Sequence, residues 1–568
     1  MHYDVLYTNG RIYNTPYREF LDGFFALRGE KIAYTGVGQP GDDVTADLQI
    51  DLQGRRVIPG LIDIHTHVES SMLTPQAFAA EECRHGVTTL VCEPHEIANV
   101  AGVDGVFAMF EAGEDAPCDI YYGIPSSVPA SAPELETTGG IIDVEELRAI
   151  ADHPRVRCLG EVMNQKDVVD NPDGRSNRLI REFQKCRPEL PVEGHVPRIG
   201  GERLARSMFN GIDSDHTEHT FGEFLERYRL GYLVQLQEKC IKKELLAHVV
   251  ENNLYDNTCF VTDDVMPDEL VNHGALDHVL RLAVKAGFPF EQAVYCCTKV
   301  PAVRMRFFDR GEIRPGYYAD FAVLKDEELF EPAEVYLKGK KTYTDGESRR
   351  PAKYPFPEKY YDSVHCAPIT DDLFTLSSDK DKVTCRVICV HPDRTQTSED
   401  RVTFEVRDGE VAFGDGKPNL CCVIERYGKT GGHAFGFMDG SCHNQGAVAC
   451  TYCHDHHNLF VCGENKKDMA VAAERVRQMH GGFAVALDGR IIAEAALPVG
   501  GIMSDVSAKE LGDQINEVTK AMVSLGYRHE DPIMSFCTVP LTVSPALKIS
   551  DKGLIDVMES RLVDLFVD

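Results

Sequence analysis

Pro59-Gly60-Leu61-Ile62-Asp63-Ile64-His65-Thr66-His67 is the stretch on which the architecture turns. Side chains two apart on a strand share a face, so His65 and His67 present two imidazoles together, and Pro59-Gly60 marks where the strand begins. Outward from it, short apolar runs alternate with longer helical stretches from Val57 to about Pro301: 88–92, 120–123, 157–160, 190–194, 211–214, 232–236 and 259–262. With the run that ends near His65 they make eight, which predicts an α/β fold, a (β/α)8 barrel over 59–302.

The ends of these runs carry chemistry. Glu161 closes 157–160, His195 follows 192–194, His216 follows 213–215 and Asp263 follows 260–262. Catalytic groups in this fold come from the C-terminal ends of several strands. His65, His67, Glu161, His195, His216 and Asp263 therefore read together as ligands for a divalent cation. A lone His-x-His is often two core or surface histidines; the later groups, in order, make it half of a metal site. The core reading survives best for His216, since His219 and Glu218 stand near enough to replace it.

The 568 residues allow three or four domains at about 150 residues each, fewer with a barrel. Acidic residues exceed basic ones by 90 to 59, and a net charge of −31 repels nucleic acid and anionic membranes. No run approaches the roughly 20 apolar residues of a membrane span, and the first residues lack a basic-then-apolar leader. The 19 cysteines, in apolar contexts such as Tyr295-Cys296-Cys297, suit buried thiols better than a disulfide framework. A cytoplasmic protein is expected.

Residues 4–13 alternate apolar and polar around Asn9-Gly10, and the pattern returns at 25–34, as in hairpins of a small β unit. Turn-and-strand chemistry at 311–324 would complete that unit, giving a discontinuous β-sandwich domain from 1–58 and 303–346. Residues 347–368, rich in Pro, Lys, Arg and Tyr, read as a linker. A C-terminal α+β domain is expected over 369–568, where strands at 384–390 and 483–487 bracket a helix at 467–479.

Longer motifs narrow the reading: Val68-Glu69-Ser70-Ser71-Met72-Leu73-Thr74-Pro75, Pro94-His95-Glu96-Ile97-Ala98-Asn99-Val100, Gly160-Glu161-Val162-Met163-Asn164, Ser214-Asp215-His216, Thr262-Asp263-Asp264 and Gly500-Gly501-Ile502-Met503-Ser504-Asp505. With these the chain resembles the adenine deaminase family of the amidohydrolase superfamily over nearly its whole length. His454-Asp455-His456-His457-Asn458 looks like that family's His-Asp-Ser-His-Asn. The resemblance implies two divalent metal ions per chain, Mn2+, Fe2+ or Zn2+, with Glu161 bridging them and His65, His67, His195 and His216 supplying nitrogen. It implies that Asp263 touches a metal and the attacking water, and that Asp263 and Glu161 are catalytic. Two cations make a water acidic enough to lose its proton near neutrality, and Asp263 would pass that proton toward the leaving nitrogen. Adenine and water would give hypoxanthine and ammonia; the alternative is a deaminase or cyclic-amide hydrolase for another purine-like heterocycle at the same site. A catalytically silent metal-binding relative has no use for an acid poised on the water, which speaks against that third reading.

Substrate contacts are expected at Glu69, Ser70, Glu93, His95, Glu96, Asn164, Glu218, Asp264, His454, Asp455 and His457. The expected partner is a small purine-like molecule, with no nucleic acid or membrane and with the chain in a homo-oligomer. Three positions depart from the family pattern: Glu93 for its usual Asp, Thr217 for Glu and Gln237 for Arg. All three fall at strand mouths, so they predict weaker handling of adenine unless Glu218 or Glu238 reaches in instead. Cys450-x-x-Cys453, followed by His454, His456 and His457, reads as small buried residues rather than a zinc site, because no second Cys-x-x-Cys completes it.

Overall fold

The computed structural model describes the whole chain except residues 327–329, 345, 350–352 and 568. Of the linker expected at 347–368, residues 350–352 thus lie outside the described residues. The chain opens with β1 (His2–Asn14), β2 (Glu19–Arg28), β3 (Lys31–Val37), β4 (Thr45–Asp51) and β5 (Arg56–Pro59). Asn9-Gly10 makes no hairpin turn: β1 runs straight through it with a register shift between Tyr7 and Gly10. Asn9 takes a left-handed conformation (φ 55°) and anchors to Asp51 Oδ1 at 2.9 Å, which is β-bulge geometry. The two-residue turn Gly29-Glu30, by contrast, does join β2 to β3.

The barrel strands follow: β6 (Leu61–Thr66), β7 (Val87–Cys92), β8 (Asp119–Pro125), β9 (Val156–Val162), β10 (Val192–Gly194), β11 (Ser214–Asp215), β12 (Leu233–Leu236) and β13 (Thr258–Phe260). β6 to β10 form one parallel sheet and β11 to β13 another. Parallel bridges from Val192 to Ile212 and from Thr66 to Asp263 join both edges, closing the barrel. β11 is shorter and later than the apolar run at 211–214. Ile62, Ile64, Val91, Cys158, Cys259 and Val261 fill part of the barrel interior as one buried cluster.

β14 (Phe321–Asp326), β15 (Glu331–Leu337), β16 (Lys340–Thr344) and β17 (Glu347–Ser348) then return to the first sheet, with Phe321 of β14 opposite Pro59 of β5. The sheet order is β17-β16-β15-β14-β5-β1-β2-β3, with β4 also on β1. Phe321 and Phe25 sit three strands apart, about 14 Å if the sheet were flat at 4.7–4.9 Å per strand, yet their ring centroids are 5.0 Å apart. The sheet therefore curls back on itself around these rings.

Between Lys382 and Ala496 lies a second nine-stranded sheet, with the helix Lys466–Gln478 packed on it. Beyond it come the helix Ala508–Ser524 and a three-stranded antiparallel sheet between Leu547 and Val563. This C-terminal part meets the barrel where the strands end: Ser504 bridges Leu73, and its N–H donates to Met72 O at 2.8 Å. Among the described residues no helix is long and apolar enough to cross a membrane.

Candidate active site

β6 delivers His65, and His67 follows just after it, the two rings edge to face at 5.0 Å. Asp63 fixes that strand end. Its carboxylate accepts from His65 N (3.0 Å), Thr262 N (3.1 Å) and Thr262 Oγ1 (2.7 Å), stitching β6 to the segment after β13. The closing bridge sets Asp263 beside the two histidines, with Oδ1 3.5 Å from His65 Nε2 and 3.4 Å from His67 Nε2.

From β9, Glu161 faces the same space. Its Oε1 is 3.6 Å from His67 Nε2, while Oε2 is 3.0 Å from His195 Nδ1 and 3.3 Å from His216 Nε2. His65 and His216 stack at 3.8 Å. The donors fall into overlapping groups, each within 4.8 Å: His65, His67 and Glu161; Glu161, His195 and His216; His65, His216 and Asp263. His65 Nε2 is buried without a hydrogen bond, the condition of a nitrogen kept for a ligand. Imidazole nitrogen mixed with carboxylate oxygen fits a divalent cation of the zinc, manganese or iron kind.

Electrostatics agree. Burial opposes ionisation of Glu161 and Asp263, but the facing imidazoles of His195 and His216 hold Glu161, and those of His65 and His67 hold Asp263, well below the usual carboxylate range. Burial likewise opposes charge on His216, yet Glu161 lifts it to about 9. The two carboxylates are thus poised anionic and draw positive charge into the cluster.

Asp215 holds two of these loops in place. Its Oδ1 accepts from Val196 N (3.1 Å) and Thr217 N (3.0 Å), and its Oδ2 from Arg227 Nε (2.5 Å) and His219 Nε2 (2.7 Å). His219 is thereby turned to a supporting role and His216 is the group in the cluster. Asp215, like Asp63, is absent from the candidate site residues read from the sequence, and Gln237 entered there only as a departure at a strand mouth. Asp63 and Asp215 had one signal, a carboxylate placed within two residues of a candidate histidine.

A second group adjoins the first. His95 Nδ1 is 3.9 Å from Glu161 Oε1, and its ring lies 4.9 Å from that of His67. Glu96 Oε1 accepts from His454 Nδ1 at 2.7 Å, and its Oε2 pairs with His457 Nε2. Burial again opposes ionisation, but His454, His457 and His95 keep Glu96 well below the usual range, and Glu96 lifts His95 to about 10. His95, Glu96 and Asp455 have side-chain atoms within 4.8 Å of one another. Glu69 Oε2, His95 Nδ1, His454 Nε2 and Asp455 Oδ2 are buried without partners. Ser70 Oγ donates to Asp264 Oδ1 at 2.5 Å. The Glu93 carboxyl, which burial raises to about 8, fits only because β8 and β9 carry glycines there: a Cβ on Gly160 would lie 1.2 Å from Glu93 Oε2.

Two expected substrate contacts make bonds of their own. Asn164 accepts from Asp167 N at 3.0 Å and caps the helix Gln165–Asp170, satisfying an otherwise free first-turn amide. Glu218 lies half-exposed and pairs with Lys242 at 2.7 Å. Neither Glu218 nor the exposed Glu238 reaches in for Thr217, whose own hydroxyl donates to Asp215 Oδ1 at 2.8 Å. Cys450 and Cys453 have sulfurs 3.3 Å apart, both buried, and belong to none of the ligand-like clusters.

A closed parallel barrel with histidines and carboxylates converging at its strand ends defines a metal-dependent hydrolase of the amidohydrolase class, and residues 56–342 match the amidohydrolase family. Residues 394–561 match the adenine deaminase C-terminal domain. The chain is 42% identical to adenine deaminase 2 of Shouchella clausii over 572 residues, covering 100% of both chains. It is 40% identical to adenine deaminase of Clostridium perfringens, again over 100% of both, and 36% identical to that of Cereibacter sphaeroides over 98% of this chain and 96% of the other. The chain belongs to the adenine deaminase family.

Proposed function

We propose that this protein hydrolyses adenine to hypoxanthine and ammonia with the help of divalent metal. The observation that carries the reading is the cluster of His65, His67, Glu161, His195, His216 and Asp263 at the closed barrel's strand ends, in a chain alike over its full length to adenine deaminases. Two of its donor groups, His65–His67–Glu161 and Glu161–His195–His216, have Glu161 in common, so these residues would hold two cations close together. Bound there, divalent cations supply the Lewis acidity that lets a water lose its proton near neutrality. Asp263, anionic and part of the cluster, accepts that proton and returns it to the exocyclic nitrogen, so ammonia leaves rather than an amide anion.

The unpartnered atoms of Glu69, His95, His454 and Asp455 give the purine edge its hydrogen-bonding partners, with Glu93, Glu96, His457, Ser70 and Asp264 behind them. A site built on such pairs rejects an analogue that leaves one of them unmade. The curled first sheet supports a β-sandwich domain from 1–58 and 303–346, the barrel occupies 59–302 and an α+β domain 369–568. The cysteine usage favours a cytoplasmic setting, and a homo-oligomer is the common case for enzymes of this kind. Ammonia release by enzyme loaded in turn with Mn2+, Fe2+ or Zn2+, measured across adenine, other aminopurines, pteridines and cyclic amides, tests the reading. Adenine should head the panel; ring opening of a cyclic amide in its place would overturn it.

A further inference from the structure

Gln237 lies directly after β12, the strand beside β13, and is 6% exposed. Its Nε2 donates to Asp263 Oδ2 at 2.9 Å and to His216 O at 3.0 Å. Both amide hydrogens are therefore committed, one to the acid and one to the backbone of a metal-site histidine. We infer that Gln237 is a positioning residue that fixes the Asp263 carboxylate for proton transfer, rather than a reader of the purine ring.

The geometry argues it in three steps. The terminal torsion of an aspartate is broad and nearly two-fold, so nothing covalent decides which oxygen faces which way. Oδ1 is turned to His65 and His67 at 3.5 and 3.4 Å, and among the described residues the Gln237 amide is the hydrogen-bond donor on Oδ2. Each carboxylate oxygen has two lone pairs, so the amide occupies one on Oδ2 and leaves the other to receive a proton from water. The second hydrogen bond, to His216 O, keeps the amide from following Asp263 if the carboxylate swings. Asp263 also sits at φ 64°, a backbone setting that few non-glycine residues hold, so its side chain starts from an orientation that the surrounding structure must maintain.

This inference rests on Asp263 being the proton acceptor of the proposed reaction, and the test separates the two. Gln237→Leu keeps the volume and removes both donors. With adenine as substrate, kcat should fall about 10- to 100-fold, the usual cost of misplacing a reacting group by about an ångström. KM and metal content should stay near wild type, and a crystal structure of the metal-loaded variant should show the Asp263 carboxylate rotated or split. Gln237→Asn, whose amide stops one methylene short of Oδ2, is a milder variant with the same expected direction. An unmoved Asp263 with kcat near wild type overturns the inference, as does a loss carried by KM or metal content alone. A wild type that releases no ammonia from any aminopurine would remove the functional reading, while the orientation of Asp263 in the variant crystals would still decide the role of Gln237.

Discussion

Asp263 combines two jobs in one carboxylate: one oxygen faces His65 and His67, the other the Gln237 amide. Asp263→Asn keeps a ligand oxygen but loses the proton acceptor. Metal content should stay nearly intact while turnover falls about 10²- to 10⁴-fold, the range assigned to general acid–base groups; elemental analysis beside steady-state kinetics checks it, and wild-type-like turnover would sink the assignment. Gly160 is the opposite case, a residue whose value lies in having no side chain. Because a methyl there would overlap the Glu93 carboxyl, Gly160→Ala should destabilise by about 1–3 kcal/mol as that buried carboxyl is pushed aside. Glu161 is the next residue, so metal occupancy should drop too. A variant with unchanged melting temperature and metal content would contradict the packing argument.

The helix His95–Ala112 enters the site at its N-terminus, where Glu96 binds the C-terminal loop through His454 and His457. Removing one member of a buried charged group strands the others, at about 3–5 kcal/mol. Glu96→Ala should therefore lower stability by that order and raise hydrogen exchange across residues 453–458; exchange unchanged there would show that the loop is held by other contacts. At the far side of the same region, Lys548 in the strand Leu547–Ser550 is fully buried, donates to Thr538 O at 2.8 Å and Thr395 O at 3.2 Å, and is depressed to about 7 by burial. The unfolded chain binds a proton on this amine up to the ordinary lysine range, near 10.4. Between about 7 and that value the unfolded state holds more protons than the folded one, so stability rises with pH. The lysine's penalty is fully present below about 7 and fades upward. The stability of Lys548→Met relative to wild type should thus be most favourable at pH 6 and decline toward pH 10, read from urea unfolding at several pH values; a pH-independent difference would refute it.

Across the whole molecule a single buried cluster links barrel residues such as Leu90, Ile97 and Leu270 with Ile502, Leu511 and Ile515 of the C-terminal part. A shared core couples the two, so calorimetry should give one unfolding transition, and a chain ending at 346 should neither retain metal nor deaminate; two separated transitions would show independent units. With 0 Trp and 21 Tyr, tyrosine absorbance is the matching optical probe. Much of this architecture was legible in the chain alone, because the relevant information is local. Alternation puts His65 and His67 on one face, the recurrence of apolar runs counts the strands, and each strand end announces its own Glu, His or Asp. A local signal misled where one residue pattern serves two geometries: Asn9-Gly10 builds a bulge rather than a turn. What sequence could not determine is who meets whom across distance. Barrel closure places Asp263 against Thr66, 197 residues away, and brings Gln237 onto its carboxylate. Docking of the C-terminal sheet carries His457 to Glu96 across 361 residues. Periodicity is written by neighbours along the chain, whereas these pairings exist only once burial and hydrogen bonding have chosen one packing of the whole.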